Sequence, residues 1–244
     1  MEDLRNKAVG DIVAGDFRTA GIFSDAGIDF CCGGKQILEE ACLEKGVDIS
    51  KLETELASVM DLPVTHTQNF KEWELDFLCD YLVNTHHKFV VRKLPELLFY
   101  TQKIAAVHGA HHPELIEVSG LFEKINEELT QHLHHEEKVV FPAIKSLVRS
   151  GEADKIAIKG EIDRLGREHD FAGGSMDKIN WLTEGYKVPG DACNTYMVTL
   201  KLLKEFEDDL HIHVHLENNI LFPKTLQLTE KHQIKNESNI ESRG

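Results

Sequence analysis

From Phe70 onward the chain repeats one pattern of apolar and polar positions. Apolar residues recur three and four apart over four long runs, roughly 70–107, 113–149, 152–184 and 192–228, which predicts four amphipathic helices. The runs are separated at His108-Gly-Ala-His-His-Pro113, at Ser150-Gly151 and between Gly185 and Gly190. Long helices joined by short connections predict an antiparallel four-helix bundle. Before it, residues 1–60 read as several short helices broken at Gly10, Gly15, Gly21, Gly27, Gly33, Gly34 and Gly46, and the polar stretch from Asp61 to Asn69 reads as a linker. Strand signals are nearly absent. The expected organisation is all-α: a small helical domain over 1–62, a linker over 63–69, the bundle over 70–228 and a frayed polar tail over 229–244.

Two of the predicted helices carry the same motif. His132-Leu-His-His-Glu-Glu-Lys-Val-Val-Phe-Pro142 and His213-Val-His-Leu-Glu-Asn-Asn-Ile-Leu-Phe-Pro223 align as His-x-His-x-Glu-x-x-x-x-Phe-Pro. Residues four apart are neighbours on one helix face, so His132 meets Glu136 and His213 meets Glu217. At 100° per residue, His132 and Glu136 share a stripe with Val118, Phe122, Ile125, Leu129, Val139 and Val140. Likewise His213 and Glu217 fall with Leu203, Phe206, Leu210, Ile220 and Leu221. Both pairs are therefore expected inside the bundle. His134 and His215 lie about 200° round their helices and are expected in solvent, as is His211. His135 has Leu216 as its equivalent in the second copy, so the repeat does not preserve it.

A buried carboxylate needs compensation, and a metal satisfies a His-x-x-x-Glu pair at once. The other two helices supply further imidazoles. In the third, His169 shares a face with Ile158, Ile162, Leu165 and Met176; in the first, His87 precedes His132 by 45 residues, as His169 precedes His213 by 44. His86 fits the register less well than His87. The bundle thus reads as a duplicated hairpin whose metal ligands are His87, His132, Glu136, His169, His213 and Glu217. Four imidazoles and two carboxylates suit two metals with carboxylate bridges. Such pairs sit ~3.5–4 Å apart, and a donor set without thiolate favours iron, with manganese or zinc also compatible. Six protein ligands leave room for an oxo or hydroxo bridge and for exogenous molecules. Glu128, four residues before His132, and Glu168 and Asp170, flanking His169, are candidates to orient the ligand imidazoles.

Composition narrows the partners. A net charge of −15 argues against nucleic acid or an anionic membrane surface. No stretch approaches a membrane span, and the amino terminus lacks the apolar core of an export signal. Five cysteines, two of them adjacent, do not suit a secreted disulfide framework, so a reducing cytoplasm is expected. In Asp29-Phe-Cys-Cys-Gly-Gly-Lys-Gln36, glycines precede a helical run expected over Lys35–Cys42. A helix start and Lys35 would favour the thiolates of Cys31 and Cys32. Alternatively, the glycines make a tight turn and the cysteines fill a small core. Cys42, Cys79 and Cys193 read as ordinary buried thiols.

The four-helix region resembles hemerythrin-like di-iron domains. With the Asp29–Gln36 segment in front, the chain resembles the repair-of-iron-centres family of bacterial di-iron proteins. The resemblance rests on Asp29–Gln36, His87 with Leu94-Pro-Glu-Leu97, His132 to Pro142, Glu168-His-Asp-Phe-Ala-Gly173 and His213 to Pro223. It implies two irons per chain at the six positions above. It further implies a cytoplasmic protein, often a homodimer, acting on iron–sulfur proteins damaged by nitric oxide or peroxide. Iron donation and nitric oxide reduction, the latter an enzyme activity at a non-haem di-iron centre, both stay open. Cys31 and Cys32 match the family's paired cysteines, for which a redox or transfer role is expected. The alternative is an oxygen- or nitric oxide-binding or sensing protein of hemerythrin type. Oxygen carriers usually supply another histidine four residues after the helix-three ligand, where this chain has Gly173.

Overall fold

The structure is a computed structural model that describes residues 4–62, 69–151 and 155–241, with side chains up to 231 except those of 155 and 156. Residues 63–68 of the expected linker and 242–244 of the tail lie outside the described residues. The fold is all-α. Among the described residues the β-type pairing is a single antiparallel bridge between Ala8 and Ile37, and no helix is long and apolar enough to cross a membrane.

Four short helices come first: α1 (Val9–Gly15), α2 (Ala20–Asp25), α3 (Leu38–Lys45) and α4 (Ile49–Met60). Four long ones follow. Helix α5 joins Leu75–Leu82, Val83–His87 and Lys88–His108; α6 joins Glu114–His135, Glu136–Val140 and Phe141–Ser150. Helix α7 is Lys155–Leu182, and α8 joins Asn194–Leu216, Glu217–Leu221 and Phe222–Glu241. The expected frayed tail is thus helical as far as Glu241.

The middle segments of α5, α6 and α8 are π turns. Lys88 N–H donates to Val83 O, Phe141 N–H to Glu136 O and Phe222 N–H to Glu217 O, each bond spanning five residues. In α6 and α8 the next residue is Pro142 or Pro223. Proline donates no hydrogen bond, and its ring pushes away the carbonyl four residues back. Those carbonyls belong to Lys138 and Asn219, inside the widened turns. The repeated Phe-Pro accords with the widened turns of α6 and α8, whereas Lys88 follows the one in α5. The extra residue also shifts the register: Val139, expected on the buried stripe, is 44% exposed, while Val140 is buried.

The chain forms two compact units, residues 1–78 with 144–155 and 212–244, and residues 79–143 with 156–211. In the first unit, Val9, Ile12, Val13, Phe23, Leu38, Leu52 and Leu56 form the core of the short helices. Asp48 caps α4 by accepting from the backbone N–H of Ser50 and Lys51. Gly46, at φ 66°, ends α3 in the left-handed region, with Val47 N–H returning to Cys42 O. Arg5 binds Glu53 through both carboxylate oxygens. Lys224 on α8 donates to the carbonyls of Lys71 and Trp73.

The second unit consists of the stacked portions of the four long helices. Leu97 and Ile104 from α5, Leu115, Val118, Phe122 and Ile125 from α6, Leu165 and Met176 from α7, and Leu203 and Phe206 from α8 are almost wholly buried. Phe122 and Phe206 meet edge to face with ring centroids 5.5 Å apart.

Candidate metal centre

Within the second unit, four of the expected ligands converge. His87 ends the π turn of α5, Glu136 opens that of α6, His132 lies one turn before Glu136, and His169 comes from α7. None is more than 2% exposed. His87 Nε2 and His132 Nε2 each lie 3.4 Å from Glu136 Oε2, and His132 Nε2 lies 3.1 Å from His169 Nε2. Ligand atoms of His132, Glu136 and His169 all fall within 4.8 Å of one another. In the first unit His213 and Glu217 form the equivalent pair on α8, Nε2 to Oε1 3.2 Å, both buried, with Glu217 opening the third π turn.

The outer nitrogens of two imidazoles are held by carboxylates. His87 Nδ1 lies 3.0 Å from Glu137 Oε1, and His132 Nδ1 lies 2.8 Å from Glu168 Oε2. An anionic carboxylate only accepts, so each Nδ1 donates and turns Nε2, the lone-pair nitrogen of a neutral ring, inward. There both Nε2 atoms face Glu136. Imidazole nitrogens gathered with a carboxylate in a dry site are a donor set for iron, manganese or zinc. The residues present therefore fit a bound metal. The carboxylate behind each imidazole is the usual support for a metal-bound histidine. Phe141 of the Phe-Pro motif stacks on the His87 ring, centroids 5.4 Å apart.

Glu168 also accepts from Arg164 at 2.7 Å. The His132 hydrogen bond, followed by Arg164, brings its carboxyl down to about 2. Glu128 and Asp170 are exposed. Glu137 escapes the sequence reading because it is not repeated; its equivalent in the second copy is Asn218. His86 is buried too but turns elsewhere, its Nδ1 3.0 Å from Asp209 and its ring against Tyr81.

Two outward-facing histidines differ from expectation. His134 is exposed as anticipated, whereas His215 is fully buried. His215 does face away from the His213–Glu217 side, but that opposite face is covered by the amino-terminal segment. Its Nδ1 lies 3.3 Å from Phe30 O and its ring packs on Phe30 and Phe17. Burial pulls its pKa down to about 4. One turn on, Asn219 Nδ2 donates to the carbonyls of Phe30 and Cys31 at 3.1 and 3.2 Å. Gly10 and Gly34 permit this approach: a Cβ on Gly34 would stand 2.9 Å from Asn219 Oδ1 and 2.7 Å from Phe30 O. His211 is half-buried beside Asp177 and Glu207 rather than in solvent.

The cysteines also correct the sequence reading. Helix α3 begins at Leu38, not Lys35, and Lys35 is exposed. The loop is shaped instead by Asp29, whose carboxylate accepts from the backbone N–H of Cys31 and Gly33 at 2.8 and 2.7 Å. Contact with Cys32, then burial and the Asp29 charge, push the Cys31 thiol well above its usual range. The two sulfurs lie 4.0 Å apart. Cys42 and Cys79 are buried, but Cys193 is exposed just before α8. The Tyr196 backbone N–H, and then His108 Nε2 at 3.1 Å, bring its thiol down to about 7. The helix-start environment expected around Cys31 and Cys32 thus surrounds Cys193.

These features have counterparts in known proteins. Residues 5–60 match the ScdA_N model, a domain of unknown function (DUF542), and residues 80–225 match the hemerythrin HHE cation binding domain. The iron-sulfur cluster repair protein YtfE of Yersinia pestis (strain Pestoides F) is 32% identical over 225 residues, which cover 92% of this chain and 99% of that protein. The iron-sulfur cluster repair protein YtfE of Yersinia pseudotuberculosis serotype O:1b (strain IP 31758) matches at the same identity and coverage. With both domains in order and nearly the whole of such relatives spanned, the chain belongs to the repair-of-iron-centres family, whose bundle is a hemerythrin-type cation-binding domain.

Proposed function

We propose that this protein repairs iron–sulfur clusters damaged by nitrosative or oxidative stress, with His87, His132, Glu136, His169, His213 and Glu217 as the residues that would hold two irons. The carrying observation is the inward presentation of imidazole Nε2 atoms to a buried carboxylate, with Glu137 and Glu168 fixing the rings from behind. The duplicated motif supplies His213 and Glu217 as the symmetric half of the set. Bound iron would supply a redox-active pair able to take nitric oxide or oxygen as a ligand. The chain's own residues exclude bulk water around the site and orient the imidazoles, with Glu168 accepting the His132 Nδ1 hydrogen bond. Gly173 adds no donor side chain, so the set stays at six and metal positions stay open for exchange or reaction. That favours iron donation or nitric oxide reduction over reversible oxygen carriage.

Cys31 and Cys32 act in this reading as the redox or transfer pair. With Asp29 they offer three ligand atoms within 4.8 Å of one another, enough to hold an ion in passage. The reading is tested by incubating anaerobically purified protein with a nitric oxide-damaged [4Fe–4S] enzyme and following recovery of that enzyme's activity. Recovery should need the metal-loaded protein, disappear with Glu136→Ala, and fall sharply in the Cys31→Ala/Cys32→Ala double variant while its iron content is retained. Equal recovery with wild type and Glu136→Ala would reject the reading.

A further inference from the structure

The outward face of α5 carries groups that the metal centre does not use. From Lys88 onward this helix is regular, so at 100° per residue Lys88, Val91, Arg92, Pro95, Phe99 and Lys103 fall within about 60° of one line. All six are exposed. Val91 and Phe99, at 60% and 59% exposure, leave most of their apolar surface in water. Lys103 Nζ stands over the Phe99 ring, 5.7 Å from its centroid, so charge and apolar surface are interleaved in one stripe.

The charge of this stripe runs against the rest of the chain. The whole sequence holds 42 acidic and 27 basic side chains, yet the segment Lys88–His108 sets Lys88, Arg92, Lys93 and Lys103 against the single carboxylate of Glu96. Glu96 is taken by Lys93 at 2.9 Å. Lys88 donates to Asn84 Oδ1, and the Arg92 guanidinium lies 5.8 Å from the centroid of the Phe89 ring. Among the described residues, Lys88, Arg92 and Lys103 have no carboxylate partner. On so acidic a chain, cations left without an ion pair beside bare apolar surface suit a partner that brings the carboxylates itself.

The chain's net charge of −15 disfavours nucleic acid or an anionic membrane as that partner. A second copy pairing its own stripe with this one would set cation against cation. At about 22 Å long and one helix wide, the stripe matches transient encounters, which bury less than about 1,200 Å², rather than a stable dimer. Its position matches as well. It begins one residue after His87, whose partner Glu137 reaches the surface with 35% of its side chain exposed. We propose that this stripe docks an acidic face of the iron–sulfur protein under repair, bringing it to the His87 side of the metal centre. The inference rests on the repair function above and adds the surface and the charge by which the client is met.

The test uses full-length protein purified without oxygen and, as client, a fluorophore-labelled [4Fe–4S] dehydratase of strongly negative net charge, damaged with nitric oxide. Binding is read by fluorescence anisotropy, and repair by recovered client activity, as NaCl rises from about 20 to about 200 mM and screens exposed charges. Wild type should bind at low salt and weaken at least tenfold across that range. Lys88→Gln/Arg92→Gln/Lys103→Gln should bind at least tenfold more weakly at low salt and lose most of the salt dependence, with iron and helical content kept. Lys187→Gln/Lys201→Gln/Lys204→Gln, on α8 and the loop before it, changes the net charge equally and should match wild type. Equal binding by wild type and the stripe variant, equal loss in both triple variants, or no binding by wild type would overturn the proposal. So would stripe-dependent binding of a DNA duplex, or stripe-dependent self-association in sedimentation, in place of client binding. Stripe-dependent binding without recovery of the client would uphold the surface and reject the repair function; recovery indifferent to the stripe would reject the surface alone.

Discussion

At the residue scale, a carboxylate at Nδ1 does not by itself set an imidazole apart, since His86 has Asp209 there; what distinguishes His87 and His132 is that their Nε2 atoms face the buried Glu136. His87 and His132 have carboxylates at Nδ1, and both present Nε2 inward. His134 has no such setting and is exposed, so His134→Ala should leave the metal content unchanged, as elemental analysis would show. Glu168→Gln should keep the metal site but weaken affinity roughly 10–100-fold, read by competition with a chelator. Cys193 should react with iodoacetamide far faster than Cys31. The rate should rise as pH increases through about 7, since the thiolate accumulates above its pKa and the thiol dominates below it. A Cys193→Ser variant with unchanged labelling would show that the reactive thiol lies elsewhere. The His-x-x-x-Glu pairs were legible because a four-residue spacing fixes a shared face. Glu137 and Asn219 were not, because their partners, His87 and the Phe30 and Cys31 carbonyls, are remote in sequence.

At the element scale, the 3.6-residue period located all four long helices but not their π turns. The periodicity fixes which residues are apolar, not where one residue is inserted into the count. Proline at Pro142 and Pro223 was the available signal, and it accounts for the exposure of Val139. The same limit misplaced His215. Its angle on α8 is as expected, but solvation depends on whether another segment covers that face, and here Phe30 and Phe17 do. Asn219→Ala removes the donor to two backbone carbonyls and should destabilise the packing of the amino-terminal segment by about 1–3 kcal/mol. Gly34→Ala should do similar damage by overlap with Phe30 O. Limited proteolysis within residues 1–60 reads both. In the bundle, Phe206→Ala removes a buried ring that packs on Phe122 and should cost about 3–5 kcal/mol by urea denaturation.

For the whole molecule, the helical class and the duplicated motif were readable because both are periodic properties of the chain. The thiol chemistry was not, because a cysteine's pKa depends on a helix start, a charge or a neighbouring sulfur that only the folded chain brings near. The central claim is that the buried imidazoles and carboxylates hold two exchangeable irons open to nitric oxide. The most direct measurement is iron per chain in protein purified without oxygen, with the optical spectrum recorded before and after nitric oxide. Two irons per chain and a spectral change on addition are the predicted result, with iron lost in Glu136→Ala and Glu217→Ala at unchanged helical content. Less than one iron per well-folded chain, or a spectrum indifferent to nitric oxide, would contradict it.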